Sequence, residues 1–226
     1  MKRKTLFTVA LVGFFIAFIV ATLIYNVERD DQASQLATAN QAALLRMHSP
    51  SLGPQDAPVV IVEFIDPACE TCAAFYPRVK EILAAHPERI RLVLRHAPFH
   101  PGSDQVATAL EAARRQGKFW PALEALLANQ RAWTRNHTAL AEPALQVLSG
   151  AGIGLDMSRL QVDMASPEVA RVIQQDLDDA RTLNVSKTPE FFVNGKPMPS
   201  FGLPQLQKLV ADALAETAGT TGPAKP

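Results

Sequence analysis

The sequence predicts an α/β fold: a sheet domain with a helical insertion, preceded by one N-terminal transmembrane helix. Three observations carry this. Residues 59–65, VVIVEFI, are a nearly continuous apolar run rich in β-branched side chains, as in a strand covered on both faces, and they lead into the chain's only two cysteines. About eighty residues with helical periodicity, 103–183, separate the second strand from the third. Residues 6–25, LFTVALVGFFIAFIVATLIY, hold twenty positions without a charge.

Taken in order, Lys2, Arg3 and Lys4 precede the uncharged stretch, which at 1.5 Å per residue is about 30 Å long, one hydrocarbon thickness. A cleavable signal peptide has a shorter apolar core and a small-x-small site after it, and Leu23-Ile24-Tyr25-Asn26 offers none. Residues 1–26 therefore read as a cytoplasmic tip and an uncleaved single-pass anchor, with all that follows on the outer side. Residues 27–50 read as a linker or short stalk. Ala33, Leu36, Ala37 and Leu44 lie near one face of a helix over 28–47, a candidate surface for association between copies. The folded domain is expected over 51–217, entered at Ser49-Pro50-Ser51-Leu52-Gly53-Pro54, and 218–226, rich in Gly, Thr, Ala and Pro, read as a disordered tail.

Within the domain, Pro67 breaks the first strand and a helix opens at Cys69-Glu70-Thr71-Cys72. Residues 90–95, IRLVLR, give the second strand. The insertion begins with Val106, Ala109, Leu110 and Ala113 at helical spacing and ends with a helix whose start reads Ser166-Pro167-Glu168, an N-cap followed by proline at the first helical position. Residues 190–194 and 196–199 form a hairpin around Asn194-Gly195, a favoured turn pair. Leu206, Leu209, Val210, Ala213 and Leu214 make the last helix.

Composition narrows the function. Lysine plus arginine equals aspartate plus glutamate, 22 each, so nothing points to nucleic acid. Without Lys2, Arg3 and Lys4 the remainder carries 19 basic and 22 acidic residues, a mildly acidic body. No phosphate loop and no internal repeat is present.

The chemistry is in the cysteines. A sulfur at the first turn of a helix lies beside unpaired backbone N–H groups and the positive end of the helix dipole, which favours thiolate. Thiolate is the nucleophile of disulfide exchange, so Cys69 reads as the attacking sulfur and Cys72, one turn on, as the buried resolving one. Glu70, next to Cys69, opposes the anion. A structural disulfide closing so short a loop stabilises weakly. A zinc site needs two further ligands, and beyond His96 and His100, with Pro98 between them, no pair stands out. Glu63 lies inside the apolar strand; burial raises a carboxyl's pKa and suits it to accept the proton of Cys72. No metal and no organic cofactor is required.

This stretch resembles the active site of the thioredoxin superfamily, and the chain is similar to its DsbA-like thiol:disulfide oxidoreductases over about 52–215. Glu63 falls where such proteins keep a buried acid, Pro77 where their first helix is kinked, and Thr188-Pro189 where a cis-proline loop packs against the cysteines and meets an extended substrate. Phe191-Phe192-Val193-Asn194-Gly195 resembles the strand and turn that follow. The resemblance implies a thioredoxin fold with a helical insertion and thiol–disulfide exchange on exported, cysteine-containing proteins. It also implies a redox partner that resets the pair, on the periplasmic or extracytoplasmic side of the inner membrane. The direction, oxidising, isomerising or reducing, is left open, although Glu70 and Thr188 imply a couple less oxidising than DsbA. Two other readings use the same residues: a copper- or zinc-handling protein binding through both thiolates, and a non-catalytic interaction module tethered to the membrane.

Overall fold

The computed structural model describes residues 2–39 and 41–220. A single long helix, α1 (Lys2–Ala39), leads into the short α2 (Gln41–Leu44). Of the uncharged stretch 6–25, side chains are described from Leu11 onward, and Leu11, Phe14, Phe15, Phe18 and Leu23 are exposed. Among the described residues no helix is long and apolar enough to cross a membrane.

The body is built on a five-stranded sheet of β1 (Ser51–Leu52), β2 (Val59–Ile65), β3 (Ile90–His96), β6 (Glu190–Val193) and β7 (Lys196–Pro197), in the spatial order β1-β3-β2-β6-β7. β2 is central. It runs parallel to β3, with Val59 opposite Ile90 and Ile65 opposite His96, and antiparallel to β6, with Ile61 opposite Val193 and Phe64 opposite Glu190. The parallel pair needs a crossover, which α3 (Glu70–Ala85) supplies. Between β3 and β6 lie α4 (Ser103–Arg114), α5 (Phe119–Ala128), α6 (Gln130–Trp133), the hairpin β4 (Thr134–Arg135) and β5 (Thr138–Ala139), α7 (Ala141–Gly150), α8 (Met157–Met164) and α9 (Pro167–Thr182). α10 (Leu203–Thr220) closes the domain.

Strand alternation splits the core in two. Val59, Ile61 and Ile65 point to the face covered by α3, α10 and most of the insertion; Val62 and Phe64 point to the other, with Val93, Phe192, Ala180, Leu183 and Leu44. Glu63 has the parity of Ile61 and Ile65 and so shares the face of the cysteines. Ser166 caps α9 by accepting from Glu168 N, with Pro167 at the first turn, as its sequence predicts. Asn194, in the turn of the last hairpin, ties it to β2: its Oδ1 accepts from Val60 N at 2.8 Å, and its own N–H donates to Val60 O at 2.9 Å.

Three expectations change. The packed body starts before residue 51: Ala43 and Leu44 are buried, and Arg46 and His48 reach α9, so the end of the stretch read as a linker belongs to the domain. Of the four residues read as an association face, Leu44 is used internally, while the side chains of Ala33, Leu36 and Ala37 lie outside the described residues. The tail read as starting at 218 is helical to Thr220, and 221–226 lie outside the described residues. The two-residue strands β4 and β5, inside a segment read as helical, come from a tight turn at Asn136 and His137, both at positive φ (48° and 60°).

The N-terminal segment is fastened by a buried ionic cluster. Arg95, fully buried on β3, donates through Nε and Nη2 to Asp176 Oδ1 at 2.9 and 2.7 Å, and through Nη1 to Ala43 O and to Leu44 O. Asp179 pairs with Arg95 and with Arg46. Asp176 also meets His48 Nε2 at 2.8 Å and the backbone N–H of His96 at 2.7 Å.

Candidate active site

Cys69 is the N-cap of α3, in an extended backbone conformation, and its sulfur accepts the N–H of Cys72 at 3.3 Å. One orphan amide of the helix start is thereby satisfied by the sulfur itself. The Cys69 thiol donates to the backbone carbonyl of Thr188, also at 3.3 Å, and the Thr188–Pro189 peptide is cis. Both cysteines are free thiols in the core; Cys69 keeps 5% of its surface and Cys72 none, so what access the pair has is at Cys69.

Their acidities diverge for the same reasons. Hydrogen bonding from the Cys72 side chain, against the opposing cost of burial and with help from Thr188 and the amides of Cys72 and Thr71, brings Cys69 down from 9.0 to about 6. Burial first, then the neighbouring Cys69, pushes Cys72 well above the ordinary thiol value. Cys69 is therefore mostly thiolate at neutral pH while Cys72 keeps its proton.

Glu63 is fully buried, and among the described residues neither of its carboxylate oxygens has a hydrogen-bond partner. Burial, and secondarily the charge of Cys69, raise it to about 8. Glu63 in turn contributes to the raised value of Cys72, which places the acid within electrostatic reach of both sulfurs.

Glu70 does not oppose Cys69 as the sequence suggests. Its carboxylate turns outward to His137 Nδ1 at 3.2 Å, and its own pKa is lowered, first by its backbone amide and then, against some burial, by His137.

Residues not singled out from sequence complete the site. Asp66, fully buried, holds the cysteine turn against the loop after β3. Its Oδ1 accepts from Ala68 N at 2.8 Å, and its Oδ2 accepts from Phe99 N, His100 N and Ser103 Oγ at 2.7, 2.8 and 3.1 Å and lies 2.7 Å from His100 Nδ1. Gln130 Nε2 donates to Pro67 O and Cys69 O, tying α6 to the same turn. A charged residue ending an apolar strand just before a proline is the only sequence signal for Asp66; Gln130 has none. His96 and His100, weighed together from sequence, part company: His96 is in the core 3.7 Å from Glu111, and His100 faces Asp66. Beside the cysteines, between the first turn of α3 and the α5–α6 junction, a cleft of about 670 Å³ is lined by Glu70, Ala73, Leu127, Gln130 and Arg131.

A thioredoxin family model matches residues 45–212, about three quarters of the sequence. The chain belongs to the thioredoxin family. A thioredoxin-like oxidoreductase from Silicibacter pomeroyi is 34% identical, covers 78% of this chain and 98% of its own, and superposes with a TM-score of 0.67. The thiol-disulfide exchange protein α-DsbA2 from Wolbachia pipientis shares the fold at 19% identity and a TM-score of 0.68, over 82% of this chain and 97% of its own. A Na(+)/H(+) antiporter NhaA from Herminiimonas arsenicoxydans is 35% identical over 144 residues, 64% of this chain but 22% of that protein. The chain thus spans about a fifth of the length of the curated relatives it matches. The solved proteins that share this fold include a thioredoxin-like oxidoreductase and a thiol-disulfide exchange protein.

Proposed function

We propose that this protein exchanges disulfides with exported, cysteine-containing proteins through Cys69 and Cys72, from the outer face of a membrane to which the uncharged stretch 6–25 would tether it. The observation that carries this is the Cys69 sulfur: helix cap, neighbour of Thr188, and anion near neutrality. In the reducing direction the Cys69 thiolate attacks one sulfur of a substrate disulfide. That S–S bond breaks, a Cys69–substrate disulfide forms, and the departing sulfur takes up a proton. Cys72 gives its proton to ionised Glu63 and attacks Cys69. The mixed disulfide breaks, the second substrate sulfur leaves, and the two electrons of the dithiol have passed to the substrate. Oxidation is the reverse, and a second redox protein restores the pair.

Thr188 and Pro189 would present backbone to an extended substrate segment above Cys69. The anchor rests on the uncharged stretch 6–25 behind a basic tip, and on the exposed apolar side chains of α1. Together with the thiolate at the helix start it suits a periplasmic or extracytoplasmic enzyme, where disulfides persist. A couple less oxidising than DsbA is the direction this reading favours, on Thr188 before Pro189 and no longer on Glu70, which pairs with His137.

The test has two parts. The full chain is assayed for reducing and for re-forming disulfides in a test protein, and the Cys72→Ser chain is used to trap mixed disulfides. Turnover that needs both cysteines, with partners captured through Cys69, is expected. A chain that neither makes nor breaks disulfides ends the proposal.

A further inference from the structure

At the mouth of the cysteine pair, outside the thiol chemistry, three side chains from three different elements converge. Glu70 comes from the first turn of α3, His100 from the loop after β3 and His137 from the β4–β5 turn. One donor atom of each lies within 4.8 Å of the other two. The geometry points to a zinc-binding site formed by Glu70, His100 and His137. Neither cysteine belongs to this group.

The chemistry of the donors decides the class of ligand. Two imidazoles and one carboxylate, with remaining positions open to solvent, are a donor set suited to zinc, which has no preferred geometry from its d-electrons. Bond lengths near 2.0–2.2 Å at tetrahedral angles require donors about 3.4 Å apart. Two of the three donors sit on exposed side chains, His137 and Glu70 keeping 72% and 54% of their side-chain surface, and the spread to be closed is at most 4.8 Å. His137 and Glu70 are already 3.2 Å apart.

The third ligand is the fixed one. His100 Nδ1 is 2.7 Å from Asp66 Oδ2, so Nε2 is left for a metal, and the same carboxylate oxygen is held by the amides of Phe99 and His100. A buried carboxylate behind a ligating histidine sets the ring's tautomer and orientation and strengthens it as a donor. Asp66 does this here without being a ligand itself.

The backbone holds the histidine loop and the hairpin together. Ala139 N, two residues after His137, donates to Pro101 O at 2.9 Å. Gly102, at φ 76°, approaches so closely that a Cβ would meet Ala139 O at 2.5 Å. The rings of His100 and His137 stack with centroids 6.2 Å apart. The convergence is thus fixed by main chain on both sides, rather than by two long side chains meeting in solvent. Because Glu70 follows Cys69 directly, a bound cation would stand beside the route by which another sulfur reaches the pair.

The experiment removes the thiols first. The full chain carrying Cys69→Ser and Cys72→Ser is dialysed against zinc sulfate, and bound metal is counted. About one zinc per chain is expected, and His137→Ala or Glu70→Gln on that background should weaken binding about tenfold or more. Both residues are exposed, so neither change threatens the fold. Cobalt(II) in place of zinc should give visible bands typical of nitrogen and oxygen ligands. Zinc that is not retained by the thiol-free chain, or that binds equally to the His137→Ala chain, overturns the site. Because the thiols are absent throughout, the result is independent of whether the cysteines exchange disulfides.

Discussion

Glu63 and Asp176 are both carboxyls with no exposed surface, one on the central strand and one on α9, yet they sit at opposite ends of the acidity scale. Glu63 has no partner for either oxygen among the described residues and is raised to about 8. Asp176 is subject to the same burial, which alone would raise it. His48, His96 and Arg95 outweigh that and hold it at about 2. Burial sets the cost of the charge, and partners decide whether the charge survives. The chain uses one outcome as a permanent strut across β3, α9 and the N-terminal segment, and the other as an acid beside two sulfurs that is mostly neutral at pH 7 and takes a proton through its ionised fraction.

The sharpest way to break this comparison is to remove the strut's cation. Arg95→Met leaves Asp176 and Asp179 buried without their main partner and should cost about 3–5 kcal/mol in chemical denaturation. A loss under about 1 kcal/mol would mean the cluster is less closed than its distances suggest. Next is Glu63→Gln. The folded value of Glu63 lies above its unfolded 4.5, so the wild-type acid destabilises increasingly as pH rises from there to about 8. The variant should therefore gain on the order of 2–3 kcal/mol near pH 7 and almost nothing near pH 4, while resolving its mixed disulfide more slowly. A gain that does not depend on pH would separate the effect from ionisation. The smallest effect is expected of His48→Ala. His48 is partly exposed, so the loss of its bond to Asp176 is expected to cost about 1 kcal/mol. Asp176 is depressed in the folded state, and its stabilising effect is present above 3.8 and lost as pH falls through about 2. Weakening its partners raises that folded value, so the acid-unfolding midpoint of the variant should move to higher pH.

The central strand, the cysteine turn and the capped start of α9 are legible in the sequence because each is local: periodicity, a proline and a cap lie within a few residues of one another. Pairings across long separations are not. Arg95 reads as one more residue of a strand, and its partners lie 81 and 84 positions away. The β4–β5 turn is hidden because Asn136-His137 is a weaker signal than Asn-Gly for two residues at positive φ, and the strands it joins are only two residues each. With that turn unread, His137 cannot be brought to Glu70, and the carboxylate is read as facing Cys69 rather than an imidazole.

The N-cap sulfur couples the fold of α3 to the distribution of electrons between two redox forms. Whatever favours the anion also favours the dithiol over the disulfide, because only the dithiol has an anion to favour. Lowering one thiol from 9.0 to about 6 stabilises the dithiol at pH 7 by about 1.4 kcal/mol, equivalent to about 30 mV for a two-electron couple. Potentials in this superfamily span roughly 150 mV between thioredoxin and DsbA. The helix start therefore moves this couple only a modest part of the way towards the oxidants, and any larger bias has to come from how the protein around the pair accommodates the closed bridge.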